Sequence, residues 1–503
     1  MNIKISPVLC AALGAAVSYY CLFPLFLAGL YNIDVLLVLS FIPVAALCLF
    51  RVLASFPLTG EERHNRLFRL AAMRLTAVAA GLALGIGAGA KVSNGINFGI
   101  PENAIQGISG VLLDDPRIIS GGRAMSILSL KMTSGSNGVR ATANGEITVF
   151  FPEESADRLK EFGRGTEVFA EGILRQGTGS FSYTFGADAI HITKIAPPLE
   201  RFRTGIRLGL VRRFTKTSPD GASWAGMALA LLLGIRDNLD SGISSMYRGA
   251  GCSHILALSG MHLAVLAAII SILLKKPLGL KLSALTGAAL IIVYCFIVGP
   301  LPSLNRAVFM YLLGVFAVIG MLKRDALSLL CLAFLIQLIV TPQAGRALSF
   351  ILSYLALAGI LIFTKSIVNI FTGTIPLVVL QPVSASVGAF IATAGVSAWF
   401  FGVLHPVGIL AGLVLAPLAT VFMVASLIWL GFDILFPAVS ALLSKPLSFI
   451  YWLMEKTAFT ASRVPGITVN PYLVLVLSLI VMVVILFFNY RRRALGAGLE
   501  PFA

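Results

Sequence analysis

Residues 407–430 run through 24 positions without one charged side chain. That length exceeds the roughly 20 apolar residues needed to cross the hydrocarbon core of a bilayer. Comparable runs, some of them shorter, recur at 7–30, 35–53, 75–90, 255–274, 282–298, 308–322 and 472–488. Composition agrees, with 58% of residues hydrophobic and 12% charged, where a soluble domain holds about 25% charged. Too little polar surface is available to coat a soluble particle. The first run is too long for the apolar core of a secretory signal and further runs follow it at once, so it reads as an uncleaved anchor. The expectation is a polytopic α-helical membrane protein.

Basic clusters orient the spans, because cytoplasmic loops carry an excess of Lys and Arg. Arg51, Arg63, Arg66, Arg69 and Arg74 flank the second and third runs, and Lys275 with Lys276, Lys323 with Arg324, Lys365 and Arg491 to Arg493 follow. Putting all of them inside leaves both termini cytoplasmic and an insertion at 97–199 outside. About twelve membrane segments result, including one within 367–380 and one around 385–400, and two or three short ones can be read as re-entrant. Gly81, Gly85, Gly87 and Gly89 are read as small residues for close helix packing. The six cysteines form no CxxC or metal spacing and are read as small hydrophobes.

The insertion has a different character. It contains 11 of the 22 acidic residues and 9 of the 38 basic ones. Strand-like runs at 108–113, 124–132, 146–151, 167–174 and 187–195 alternate with turn-rich stretches such as Ser134-Gly135-Ser136-Asn137-Gly138. Five strands with a helix-prone stretch at 153–162 suit an OB-like β-barrel. The segment that follows, 200–222, holds Arg201, Arg203, Arg207, Arg212, Arg213 and Lys216, with Phe202, Ile206, Leu210 and Phe214 at i, i+4 spacing. It reads as a basic amphipathic helix in the interface. Two compatible roles are open to it, anchoring on lipid headgroups and gathering the phosphates of a polyanion.

The polar residues of the second half are concentrated around residue 254. Residues 249–263 read Gly-Ala-Gly-Cys-Ser-His-Ile-Leu-Ala-Leu-Ser-Gly-Met-His-Leu. Two histidines and a Ser-Gly pair inside an apolar segment are costly unless they face a polar cavity or one another. On a continuous helix Ser259 and His262 would be i, i+3 neighbours, and Gly260 lets the backbone bend or break there. Arg236, Asp237 and Tyr247 lie just upstream.

The string His254-x-Leu256-x-x-Ser259-Gly260-x-His262, preceded by Tyr247 and Gly251, closely resembles the signature of the ComEC competence family. Pro302-Ser303-x-x-Arg306-Ala307-x-x-Met310 resembles its second motif. Arg324-Asp325, Pro342 and Phe350-x-Leu352-Ser353-Tyr354 resemble the third. The stretch 401–417 is similar to a late helix pair, with Gly412 where an asparagine is common.

The resemblance implies a bacterial cytoplasmic (inner) membrane channel that takes up single-stranded DNA during natural transformation. Its domains would be a three-helix membrane region at 1–96, the outer barrel at 97–199, the basic helix at 200–222, a channel domain at 223–466 and a last span with a basic tail at 467–503. Arg236, Asp237, Tyr247, His254, Ser259, Gly260, His262, Ser303, Asn305 and Arg306 would line or gate the path. Tyr247 would stack a base and Arg306 would contact phosphates. The structural alternatives are hydrogen-bonded core histidines, and for Arg306 a snorkelling side chain or a pair with Asp237.

Longer family members carry a metallo-β-lactamase-like domain with an HxHxDH string. The five histidines here (His64, His191, His254, His262, His405) cannot form it, and no GxxxxGK[ST] loop is present. No catalytic residue, metal or cofactor is therefore expected. The partners implied are membrane lipids, a periplasmic or surface DNA receptor, a separate nuclease and a cytoplasmic DNA motor. The path can lie within one chain or between copies of it. Two other readings remain: a transporter of a different anionic solute, and an intramembrane hydrolase using Ser259 with His262.

Overall fold

The computed structural model describes residues 6–22, 62–93, 96–119, 122–136, 138–176, 183–216, 224–322, 325–478, 480–482 and 484–485. The expected span at 35–53, Arg51, Lys323, Arg324 and Arg491 to Arg493 lie outside the described residues. The chain forms two compact units. One draws on 1–94, 305–404 and 468–503, and the other on 95–304 and 405–467.

In the first unit, the helix Pro7–Val17 packs along Glu62–Ser93. Small residues make the approach possible: a Cβ on Gly81 would lie 1.9 Å from the Ala11 carbonyl oxygen, and one on Gly85 2.0 Å from Ser18 Oγ. Gly87 faces open space and does not share that role. A second pair, Leu348–Phe371 and Leu377–Phe401, crosses at Gly359 and Gly388, where a Cβ on Gly359 would meet the Gly388 oxygen at 2.3 Å. The segment expected within 367–380 instead takes in the end of one of these helices, the turn at 372–376 and the start of the next, and Leu348–Phe371 is a membrane-length helix that the sequence reading does not include. Phe334, Phe350 and Tyr354 pack together in tilted and edge-to-face contacts in the core of this unit.

The second unit holds the barrel. Its strands are β1 (Ile105–Leu112), β2 (Arg117–Ile118), β3 (Ala124–Gly135), β4 (Arg140–Thr142), β5 (Glu146–Phe151), β6 (Glu167–Gln176) and β7 (Tyr183–Lys194). The five long strands close in the order β1, β3, β5, β7, β6 and back to β1, with only β5 and β7 parallel. A helix, Glu153–Phe162, joins β5 to β6, as the sequence pattern requires. Alternation along β3 turns Ala124, Ser126, Leu128 and Leu130 inward. They meet Ile108, Leu112, Val149, Phe151, Val168 and Phe185 in a closed core. The curvature is set at register shifts in β1 and β6, where Gly110 and Gly172 let neighbouring backbone come within the volume of a side chain.

Outside the barrel this unit is helical. Five helices of the described residues are long and apolar enough to cross a membrane: Ala72–Ala90, Gly260–Val298, Leu348–Phe371, Leu377–Phe401 and Val407–Leu435. Gly260–Val298 is two helices in succession, since Gly279 takes φ 71 beside Pro277. The break falls between the two expected spans, next to Lys275 and Lys276.

Candidate functional site

The region 224–262 of the second unit is a chain of interrupted helices. Trp224–Leu233 is ten residues long, too short to span, and every residue in it is buried. It ends at Gly234, with φ 69, and its carbonyl ends are met from outside: Tyr294 Oη donates to the Leu232 oxygen at 2.7 Å. Ser241–Gly249 follows, capped by Asp240 accepting from the Gly242 N–H at 2.8 Å. Gly251, at φ 69, turns the chain against His405 and Gly408. The four-residue helix Ser253–Leu256 comes next, and then extended backbone to Ser259. Glycines at 234 and 251 supply conformations that a side chain would resist.

Ser259 and His262 are not neighbours along one helix, as the sequence reading had them. Ser259 is the N-cap, with φ −128 and ψ 175, and the helix starts at Gly260. His262 is the third helical residue and closes a capping box. Its Nδ1 accepts from the Ser259 N–H at 3.1 Å, and Ser259 Oγ lies 3.2 Å from the same nitrogen. Glu or Gln usually serves in this role, satisfying donors that a helix start leaves open. Accepting at Nδ1 puts the proton of the neutral ring on Nε2. That Nε2 is buried and has no hydrogen-bond partner. Ser303 completes the cluster by donating to the Leu258 oxygen at 2.8 Å, which satisfies a carbonyl that the break would otherwise orphan.

The remaining expected residues are dispersed. His254 and Arg236 are exposed. Asp237 is not paired with Arg306: it takes Lys160 at 2.8 Å and the Ile118 N–H at 3.2 Å, both from the barrel. Tyr247 has no exposed surface and its hydroxyl is without a partner, so it cannot stack a base in this conformation. Asn305 is half-buried. Arg306, in the first unit, is 8% exposed, with its Nε lacking an acceptor. Its guanidinium lies 5.9 Å from the Tyr354 ring centre, and Tyr354 Oη donates to Gln337 Oε1 at 2.9 Å.

The basic helix, Pro198–Lys216, corrects the expectation of one phosphate-binding row. Arg203 is fully buried and forks onto Asp115 at 3.0 and 2.6 Å. Its Nε donates to the Phe296 oxygen at 2.7 Å. Arg207 reaches the Ile297 and Val298 oxygens at 3.0 and 2.6 Å and Asp115 at 3.3 Å. Both side chains thus cap the carbonyl end of Gly260–Val298, where the helix dipole favours cations. Burial alone would raise the Asp115 carboxyl. Hydrogen bonds from Arg203, the charges of Arg207 and Arg203 and the Arg164 N–H outweigh burial and hold it below the usual aspartate range. Arg213 pairs with Asp433 at 3.0 Å. Arg201, Arg212 and Lys216 are exposed.

Asp115 and Tyr294 escaped the sequence reading. Asp115 sits in an Asp-Asp-Pro turn that signals a loop and nothing more, and its partners lie from 49 residues away, at Arg164, to 88, at Arg203, and beyond, at Arg207. Among the described residues no cluster of His, Cys, Asp or Glu has the geometry to hold a metal ion.

Membrane-length apolar helices, a barrel inserted between them and a hydrogen-bonded helix break define a polytopic membrane protein. A family model described as Competence protein matches residues 231–494, more than half of the chain, and the chain belongs to that family. An uncharacterized protein of Aquifex aeolicus is 27% identical over 278 residues, covering 54% of this chain and 64% of that one. ComE operon protein 3 of Bacillus subtilis is 27% identical over 148 residues, 28% of this chain and 19% of that protein. The chain therefore spans less than two thirds of either relative. No solved structure matches.

Proposed function

We propose that this protein is an inner-membrane channel for the uptake of single-stranded DNA during natural transformation. The observation that carries the reading is a buried donor without an acceptor at the helix break of the second unit, His262 Nε2, in a segment that the competence family model covers; in the first unit Arg306 Nε is likewise without an acceptor. An unpaired donor away from water is costly, and a phosphodiester supplies the acceptors that the protein withholds. His262 is 1% exposed and Arg306 8%, so this conformation is a closed one. Conduction requires the extended stretch 257–259 to move, and its few side-chain tethers make it the natural hinge.

In this reading the barrel is of the OB type, which its strand order and intervening helix support. It stands outside the membrane with both termini cytoplasmic. Arg201, Arg212 and Lys216 offer phosphate contacts, and Arg203 and Arg207 hold the scaffold. A surface DNA receptor, a separate nuclease and a cytoplasmic motor act with it, and copies of the chain can share the path. The unpaired donors suit any anion, so a transporter of another anionic solute is the second reading. A Ser259/His262 hydrolase is weaker, because Nδ1 already accepts the capping N–H.

The test is internalisation of labelled DNA by cells with and without the protein, with external binding scored separately. Internalisation that does not depend on the protein overturns the proposal. Strong dependence on ionic strength and on DNA length separates DNA from a small anion.

A further inference from the structure

Within the second unit, two sets of polar contacts tie the barrel to the helices that flank the break. At the first, Asp115 in the β1–β2 loop holds Arg203 and Arg207, which in turn hold the Phe296, Ile297 and Val298 carbonyls. Gly299, at φ 98, follows directly, and a Cβ there would stand 2.7 Å from Arg203 Nη2. Four residues, Gly299-Pro300-Leu301-Pro302, then lead to Ser303. Two prolines in four make that linker stiff, and Ser303 ends it by bonding the Leu258 carbonyl next to the Ser259 cap.

At the second attachment, Lys160 of the barrel helix and the Ile118 N–H of β2 hold Asp237. Asp237 lies three residues beyond Gly234, and an ideal Cβ on Gly234 would meet Leu301 at 3.3 Å and Leu258 at 3.8 Å. The two lines of contact converge at Gly234, which has Leu301 on one line and Leu258 on the other as its near neighbours. A third contact stiffens the barrel against the basic helix. Gly163, the cap of the barrel helix, lies so close to Thr204 that a Cβ would come within 2.5 Å of its hydroxyl.

We propose that the barrel is a lever on the helix break, with Asp115, Arg203, Arg207 and Asp237 as positioning residues that set whether Leu258 and Ser259 are held closed. This rests on the reading of that break as the gate. A ligand that shifts the barrel moves Asp115 and Lys160 together, and the carbonyl ends at 296–298 and the Gly234 turn must follow. Coupling of this kind needs an element with two arrangements that both sites bias. In this proposal the capped arrangement at Ser259 and an uncapped one are that pair.

Amide exchange on the full chain in lipid nanodiscs tests it. Lys160→Met with Asp237→Asn removes the more exposed attachment and leaves the buried one intact, so the fold is not at risk. Asp115→Asn loosens the other. Each is expected to speed exchange over 257–263 by roughly tenfold while the barrel strands β1 and β3 keep their rates. Faster exchange confined to the barrel and the basic helix, or no change at 257–263, overturns the proposal. DNA uptake is measured in parallel. If the exchange response is present and uptake is normal, the lever stands and the reading of the break as a DNA gate falls.

Discussion

Arg203 meets Asp115 through two parallel contacts, 3.0 and 2.6 Å long, from a guanidinium with no exposed surface. The pair would be hard to justify energetically if it stood alone, since desolvating two charges costs as much as their attraction returns. It does not stand alone. The same guanidinium donates to two carbonyls at the end of Gly260–Val298, so one desolvated cation satisfies a carboxylate and a helix terminus together.

Removing that cation leaves the half-buried Asp115 with only Arg207 and the Arg164 N–H, and the Phe296 oxygen without its side-chain donor. Arg203→Ala is expected to destabilise the second unit by about 3–5 kcal/mol, the range for breaking a buried pair. Arg203→Lys recovers little, because a point charge cannot fork onto both carboxylate oxygens and reach the carbonyls as well. Arg201→Ala, at an exposed position two residues earlier, changes stability by about 0.5 kcal/mol or less. Thermal unfolding in a single detergent ranks the three, and equal effects at 201 and 203 would remove the structural role.

The same site sets an acid limit. The Asp115 carboxyl is held below its ordinary value in the folded chain, so its stabilising contribution is fully present above the unfolded value of about 3.9. It is lost as pH falls through the folded value. Arg203 and Arg207 face the carboxylate, Glu200 lies 3.5 Å from Arg203, and the Arg164 N–H donates to it. Asp115→Asn removes this carboxylate and leaves Glu200 in place, so the comparison with the wild type isolates Asp115. The difference in melting temperature between the wild type and Asp115→Asn should be flat from pH 7 to about 5 and shrink below about pH 4. A difference that grows on acidification contradicts the assignment.

Much of the fold is legible in the sequence because it depends on local periodicity. The alternation at 124–132 and 146–151 and the helical stretch at 153–162 reappear at those positions. Gly81 and Gly85 pack as small residues should. What stays hidden is set by distant partners. The basic helix has the pattern of a phosphate-binding strip, and only its contact with 296–298 reveals that two of its arginines are structural. Leu348–Phe371 contains Ser353, Tyr354, Thr364 and Lys365, which dilute its apolar run, so its length shows only in three dimensions. The Ser259–His262 pairing has the i, i+3 spacing, but periodicity alone cannot tell a helix interior from its cap.

The crossing at Gly359 and Gly388 has no spare volume. Gly359→Ala puts a methyl 2.3 Å from a backbone oxygen, which must be relieved by moving a helix, at a cost of about 1–3 kcal/mol. Gly87→Ala meets open space and should stabilise slightly, by up to about 1 kcal/mol, through helix propensity. Opposite signs at the two positions, read from unfolding in detergent, are the expected result.

Ser303→Ala removes the donor that reaches the Leu258 oxygen and leaves that carbonyl unpaired beside the break. About 1–3 kcal/mol of destabilisation is expected. Ser303→Thr, which keeps the hydroxyl, should recover most of it. Equal losses in the two variants would mean that the site responds to packing and not to the hydrogen bond.

His262 has two jobs that a pair of substitutions can separate. As a cap it needs only an acceptor for the Ser259 N–H, and Gln at the third helical position provides one in ordinary capping boxes. His262→Gln should therefore stay within about 0.5 kcal/mol of the wild type, and His262→Leu, which has no acceptor, should lose about 1 kcal/mol. As part of a conduit it needs the imidazole itself, with an Nε2 donor free for a phosphate. Uptake of labelled DNA is expected to fall in both variants, so that stability and uptake part company in His262→Gln. Uptake that simply tracks the cap, normal in His262→Gln and low in His262→Leu, would make His262 a helix-start residue and withdraw it from the proposed path.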